Sequence, residues 1–161
     1  GMIGLGYFLS FSSVRERLFS EWEERAVFER LEKNPNDVVV LQKLAMFYHK
    51  KGDLKQTIAL YERVLRLDEN QAVALNNLAW ILVTAGEMEL RDKKRALALA
   101  RRAVALERSP VFLDTLAEAL YANGLVHEAV ETIQEAIHIV KVDKEYYERQ
   151  LLRFTGEIRE T

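Results

Sequence analysis

Residues 75–86 read Leu75-Asn76-Asn77-Leu78-Ala79-Trp80-Ile81-Leu82-Val83-Thr84-Ala85-Gly86, an apolar helix-like run that closes on a glycine. Similar runs stand on both sides of it. Upstream, Leu41, Leu44, Ala45 and Tyr48 lead to Gly52; downstream, Leu113, Leu116, Ala117 and Leu120 lead to Gly124. Leu41 and Leu75 are 34 residues apart, and so are Gly52 and Gly86. Apolar residues at helical spacing, recurring at a fixed period of this length, are the mark of a solenoid of stacked helix pairs. The chain is therefore expected to be a binding scaffold, and what it binds is not written in the same pattern.

Composition agrees. The 161 residues are 49% apolar and 30% charged, with two prolines and seven glycines, which favours an all-α chain over a sheet. A formal net charge of −2 offers no global attraction to nucleic acid or an anionic membrane. The absence of cysteine excludes disulfides, thiolate catalysis and Cys-ligated metal, but leaves the compartment open. Gly1 before Met2 reads as a scar of tag removal. Residues 1–12 form an apolar segment in which Ile3 to Phe11 spans nine residues, fewer than the roughly 20 needed to cross a bilayer. Two readings stay open: the trimmed end of a signal anchor that tethers the array to a membrane, or a greasy segment folded onto the first helix.

From residue 13 the chain reads as a single domain. A leading helix over 13–34 has Ser13 as N-cap with Glu16 three residues on. Val14, Leu18, Trp22, Phe28 and Leu31 form its apolar side, and Asn34-Pro35 stops it. Helix pairs follow over 38–70, 71–108 and 109–142. The second helices carry Ile58, Tyr61, Val64, Leu65 and Leu67 in the first pair, and Ala96, Leu97, Ala100, Ala103, Val104 and Leu106 in the second. Pro110 suits the first turn of a helix. Gly86 to Ala96 is ten residues where Gly52 to Thr57 and Gly124 to Ala129 are five, so the middle pair has about five extra residues around Glu87–Asp92. This loop is either a plain extension or a contact surface. A last helix over 143–158, with Tyr147, Leu151, Phe154 and Ile158 on one side and charges on the other, is expected to cap the array.

These residues resemble the tetratricopeptide repeat family, whose 34-residue unit has small residues where paired helices meet. The matching residues are Leu41, Leu44, Ala45, Tyr48, Thr57, Tyr61 and Val64 in the first unit. The second unit has Leu75, Leu78, Ala79, Leu82, Ala96, Ala100 and Ala103; the third has Leu113, Leu116, Ala117, Leu120, Ala129, Ile133 and Ala136. Asn34-Pro35 fits the family's repeat ending, which makes Phe19–Lys33 the second helix of a degenerate leading unit. The resemblance implies a right-handed superhelical array of antiparallel helix pairs, about three repeats plus an N-terminal helix and a C-terminal cap. It implies a concave groove lined by the first helices and says little about the partner.

Catalytic and metal chemistry have no support in the sequence. His49, His127 and His138 lack ligand spacing, and no phosphate loop or nucleophile elbow appears, so no enzyme activity, cofactor or metal is expected. The basic run Arg91, Lys93, Lys94, Arg95, Arg101, Arg102 is interrupted by Asp92, lacks aromatics and falls on a second helix, so it reads as a solvated face and not as a nucleic-acid site. The resemblance places candidate partner-binding residues on the groove: Gln42, Lys43, Met46 and His49, then Asn76, Asn77, Trp80 and Val83 or Thr84, then Asp114, Thr115, Glu118 and Tyr121. Two successive asparagines are poor helix formers, and Trp80 is of the kind that anchors interfaces. Asn77 matches the central asparagine of the family's chaperone-tail clamp, but Gln42, Met46, Val111 and Thr115 stand where the clamp needs cations. Chaperone-tail binding is therefore not expected.

The resulting expectation is a non-enzymatic adaptor that takes a peptide or helix of a protein partner in its groove. Alternatives are a scaffold that self-associates as a homodimer, or is membrane-tethered, through the N-terminal segment, and a recruiting domain of a larger enzyme. The compartment stays open between cytoplasmic and membrane-tethered.

Overall fold

A computed structural model describes residues 23–157. The expectations for the N-terminal apolar segment, for Ser13 with Glu16, for Val14, Leu18 and Trp22, and for Ile158 lie outside the described residues. Within them the chain is helical throughout, with no strand. Helix α1 (23–33) leads into α2 (Val38–Lys50), α3 (Leu54–Leu67), α4 (Ala72–Thr84), α5 (Lys93–Leu106), α6 (Pro110–Ala122), α7 (Val126–Ile139) and α8 (Lys144–Phe154). The pairs α2/α3, α4/α5 and α6/α7 are the three repeats, and each packs on the next to make one continuous core.

Short polar side chains start most of these helices. Asp37, Asp53 and Asp92 accept the backbone N–H of Val40, Gln56 and Arg95 at 3.0–3.1 Å, and Ser109 accepts that of Phe112 ahead of Pro110. Each such cap satisfies a donor that the first turn leaves without a helical partner. At the other end, α2 and α6 close through left-handed glycines, Gly52 and Gly124, both at φ 79°. The N–H of the next residue returns to the helix, Asp53 to the Tyr48 carbonyl and Leu125 to that of Leu120, each at 3.0 Å. Gly86, in the same register, is not left-handed. Nothing lies within 4 Å of a Cβ built on any of the three. Gly52→Ala or Gly124→Ala should therefore cost about 1 kcal/mol in strain alone. Gly86→Ala should fall within about 0.5 kcal/mol of wild type, and urea unfolding of the three variants checks the contrast.

The five extra residues of the middle repeat leave its junction intact. They include a single 3₁₀ turn at Met88–Leu90, after which the Asp92 N–H bonds the Leu82 carbonyl at 2.9 Å. Leu82 stands where Tyr48 and Leu120 stand in the other repeats, so α5 re-enters the register it would have had without the insertion.

The core follows the repeat. Leu41, Leu75 and Leu113 are fully buried, as are Ala45, Ala79 and Ala117, the small residues that let paired helices approach. Tyr61, Ala100 and Ile133 occupy one register position with very different sizes, and all three are fully buried. Three residues expected on apolar faces turn outward: Phe28 is 42% exposed, Leu67 41% and Leu106 48%. Leu67 and Leu106 are the last residues of α3 and α5. Leu99, not singled out from the sequence, takes a core place in α5.

The basic run on α5 stitches repeats together. Arg95 pairs with Glu62 at 2.8 Å, Arg101 with Glu128 at 3.3 Å, and Arg102 donates to the Glu69 carbonyl at 2.8 Å. The first two pairs join equivalent positions of successive repeats with the charges exchanged. Exposed pairs of this kind contribute about 0–1 kcal/mol each, so they set alignment more than stability.

Helix α8 sits where the first helix of a fourth repeat would. Tyr147 follows Leu113, and Phe154 follows Leu120, by 34 residues, and both are buried. It ends at Phe154, earlier than the expected 158. Gly156 adopts φ 76°, its N–H meets the Arg153 carbonyl, and the Glu157 N–H returns to that of Leu152 at 2.9 Å, closing the last turn.

Candidate functional site

The first helices of the repeats line one face, and two hollows lie along it on either side of Trp80. The first, about 320 Å³, is bounded by Met46, His49 and Lys50 of α2 and by Asn77 and Trp80 of α4, with Tyr61 from α3 beneath. The second, about 240 Å³, is bounded by Asn76, Asn77 and Trp80 of α4, Val111, Asp114 and Thr115 of α6, and Tyr146 of α8. Lys50 gives the first hollow a cation at its rim, while the second has the Asp114 carboxyl.

The two asparagines are tied to the interior. The Asn77 amide donates to the Tyr61 hydroxyl at 3.0 Å and accepts from the Asn76 amide at 3.2 Å. Burial pushes the Tyr61 phenol up, and the Asn77 bond partly offsets this. Asn76 is 4% exposed and its Oδ1 has no hydrogen-bond partner. A buried acceptor left so costs about 1–3 kcal/mol, which makes this atom the site's most unusual feature.

The remaining sequence-derived candidates divide. Met46 and His49 join Asn77 and Trp80 in the first hollow. Lys43 lies instead in a hollow of about 380 Å³ between α1 and α2, with Glu23, Glu24, Val27 and Phe47. Gln42 donates to Gln71 at 3.2 Å, and Gln71 to Asp68 at 2.6 Å, so its amide holds the α3–α4 connection. Val83 and Thr84 are half-buried in the last turn of α4, with the Thr84 hydroxyl on the Trp80 carbonyl.

In the third repeat, α8 takes up much of what the register assigned to a partner. The Tyr146 hydroxyl donates to Asp114 Oδ2 at 2.8 Å, Arg153 pairs with Glu118, and Tyr121 stacks on Phe154 at 4.8 Å. The Arg153 guanidinium lies over the Phe154 and Tyr121 rings at 4.7 and 5.3 Å. Thr115 bonds the Val111 carbonyl.

Burial raises the Asp114 carboxyl from 3.8 to about 6; the neighbouring Glu118 adds to this, while the Tyr146 bond and Arg153 oppose it. Tyr146 is pushed up for the same reason, its burial compounded by the facing carboxylate. A carboxyl whose folded value lies above its unfolded one favours the fold fully below the unfolded value, and that contribution disappears as pH rises through about 6. Asp114→Asn should therefore gain on wild type between about pH 4 and pH 7, by at most about 3 kcal/mol, in paired urea titrations.

One feature was not read from the sequence. Val39, Val73 and Val111 occupy the same position of successive first helices and are 61%, 44% and 57% exposed. Exposed β-branched residues are weak helix formers, so their recurrence at the 34- and 38-residue steps was the available signal.

Comparison with known proteins agrees with this geometry. Residues 39–71 match the family model described as the tetratricopeptide repeat. The chain carries a tetratricopeptide repeat. The array as a whole is similar to the solved structure of MamA from Desulfovibrio magneticus RS-1, at 19% identity and a TM-score of 0.72, over 98% of this chain and 86% of that one. PilW, a type IV pilus biogenesis factor, is similar at 13% identity and a TM-score of 0.67, over 94% of this chain and 76% of that one. A further MamA structure aligns at 22% identity and a TM-score of 0.59, over 83% of this chain and 86% of that one. At these identities the likeness is one of fold, an all-α array of stacked helix pairs. Among the described residues no helix is long and apolar enough to cross a membrane, and no group of three or more His, Asp or Glu is placed to hold a metal.

Proposed function

We propose that this chain is a non-enzymatic protein-interaction scaffold that holds a segment of a partner protein along the face made by α2, α4 and α6. The observation that carries the reading is the pair of hollows flanking Trp80, with Met46 56% exposed in one and Val111 57% exposed in the other. Exposed apolar side chains around a half-buried tryptophan, rimmed by Lys50 and Asp114, form an apolar centre with polar edges of the kind interfaces use. Stacked repeats hold such a surface rigidly, so little ordering is needed on this side when the partner binds. Of the sequence-derived candidates, Met46, Asn77 and Trp80 reach this surface, and the buried Asn76, Asp114 and Thr115 form the floor of its second hollow. Gln42, Glu118 and Tyr121 support it through the contacts described above. The Glu87–Asp92 insertion serves as a plain extension, because the α4–α5 junction closes as the shorter junctions do.

A photo-crosslinking residue at position 73, on the groove face, should capture a partner protein in cells of the native source. The same probe at the outer Leu106 should not. Equal capture from both positions, or capture from 106 alone, would place binding elsewhere.

A further inference from the structure

We infer that the hollow between α4, α6 and α8 is the seat of a single basic side chain, lysine or arginine, carried by the segment that lies in the groove. This deepens the groove reading and rests on it. The lining offers acceptors and π-electrons. Asn76 Oδ1, on a side chain 4% exposed, has no hydrogen-bond partner. Asp114, 8% exposed, uses Oδ2 for the Tyr146 hydroxyl. Trp80 brings an indole to the same space, the aromatic group that attracts cations most strongly. Val111 and Thr115 supply the apolar wall along which the stem of a lysine or arginine packs.

The charges around the hollow point the same way. From α6 it faces Asp114 with Glu118 beside it; from α8 it faces Tyr146, with Arg153 and Tyr147 nearby. Helix α4 contributes only uncharged groups, Asn76, Asn77 and Trp80. Arg153 pairs with Glu118 and also acts on Asp114, so two carboxylates share one cation here and the local balance is negative. Burial holds that carboxyl up to about 6 even though Arg153 and the Tyr146 hydroxyl oppose the rise. A guest ammonium or guanidinium would neutralise Asp114, and a rotation of the Asn76 amide about its own side chain would bring the enclosed Oδ1 to the guest's N–H. An anionic guest would meet a carboxylate, and a neutral amide would leave the charge unbalanced.

The test uses the whole chain and small probes. Nα-acetyl-arginine methylamide and its lysine counterpart are titrated into ¹⁵N-labelled protein at about pH 7.5, and the Asn76 amide and Trp80 indole resonances are followed. The citrulline analogue serves as neutral isostere and the glutamate analogue as anion. The expected result is a saturable shift for a basic probe with Kd of about 1–10 mM. It should weaken about tenfold in Asp114→Asn and again in wild type at about pH 4.5, where Asp114 is protonated. Asn at 114 still accepts the Tyr146 hydroxyl, and an unchanged backbone spectrum verifies its fold. No shift at about 50 mM probe, or equal binding of the citrulline or glutamate analogue, overturns the assignment. Once a partner is in hand, affinity that falls in Met46→Ala but not in Asp114→Asn removes the cation seat and keeps the groove. Affinity unchanged in both variants removes the groove as well.

Discussion

Tyr61→Ala is expected to destabilise the array by about 3–5 kcal/mol, the usual range for truncating a buried aromatic residue. Tyr61 is fully enclosed, lies under the first hollow between α2 and α4, and is the partner of the Asn77 amide. Its removal leaves a cavity at the interface of two repeats and strands a half-buried amide. Domains of this size have about 5–15 kcal/mol in all, so the variant should be marginal at physiological temperature. Tyr61→Phe keeps the ring and loses only the hydroxyl, with an expected cost of about 1 kcal/mol. Urea unfolding of the two variants separates packing from hydrogen bonding. Equal losses would mean that the ring does not hold the repeats together.

The second large effect is on binding. Met46→Ala combined with Trp80→Ala should weaken the partner by about 2–4 kcal/mol, roughly 30- to 1,000-fold, the range of interface anchors. The fold should survive, because Met46 is 56% exposed and Trp80 only half-buried. Asn77→Ala looks like an equally good probe from the sequence alone and is a poor one. It takes the hydrogen-bond partner from the Tyr61 hydroxyl in a fully buried residue, so lost binding could not be told from lost structure. Isothermal titration with the Met46/Trp80 variant, beside its melting curve, measures both quantities.

The repeat was legible because a 34-residue step in Leu, Ala and Gly reports directly on which helix faces meet. Leu41, Leu75 and Leu113 are fully buried, as their register required. The insertion near Glu87 was legible too, but not how its junction closes, which depends on the Asp92–Leu82 backbone bond and so on geometry. The turn glycines share a period but not a conformation. Gly86 keeps the period of Gly52 without its left-handed backbone, since the longer connection relieves the need for it.

At the expected groove, register placed the side chains on the first helices but not their contacts. Asp114, Glu118 and Tyr121 meet α8, which sits where the first helix of a fourth unit would. The hint was present in Tyr147 and Phe154, each 34 residues beyond a core leucine, a register that the expectation of a cap did not use. Gln42 and the orphaned Asn76 Oδ1 had no signal at all, because an amide looks the same in sequence whether it is paired, strained or waiting for a ligand.

The most direct test is affinity capture from an extract of the native source, with the wild-type chain and the Met46→Ala/Trp80→Ala variant run side by side. A protein retained by wild type and lost from a fully folded variant is the predicted result, and its binding segment should then carry a basic residue beside an apolar one. A partner held equally by both would contradict the account and move recognition off the face formed by α2, α4 and α6.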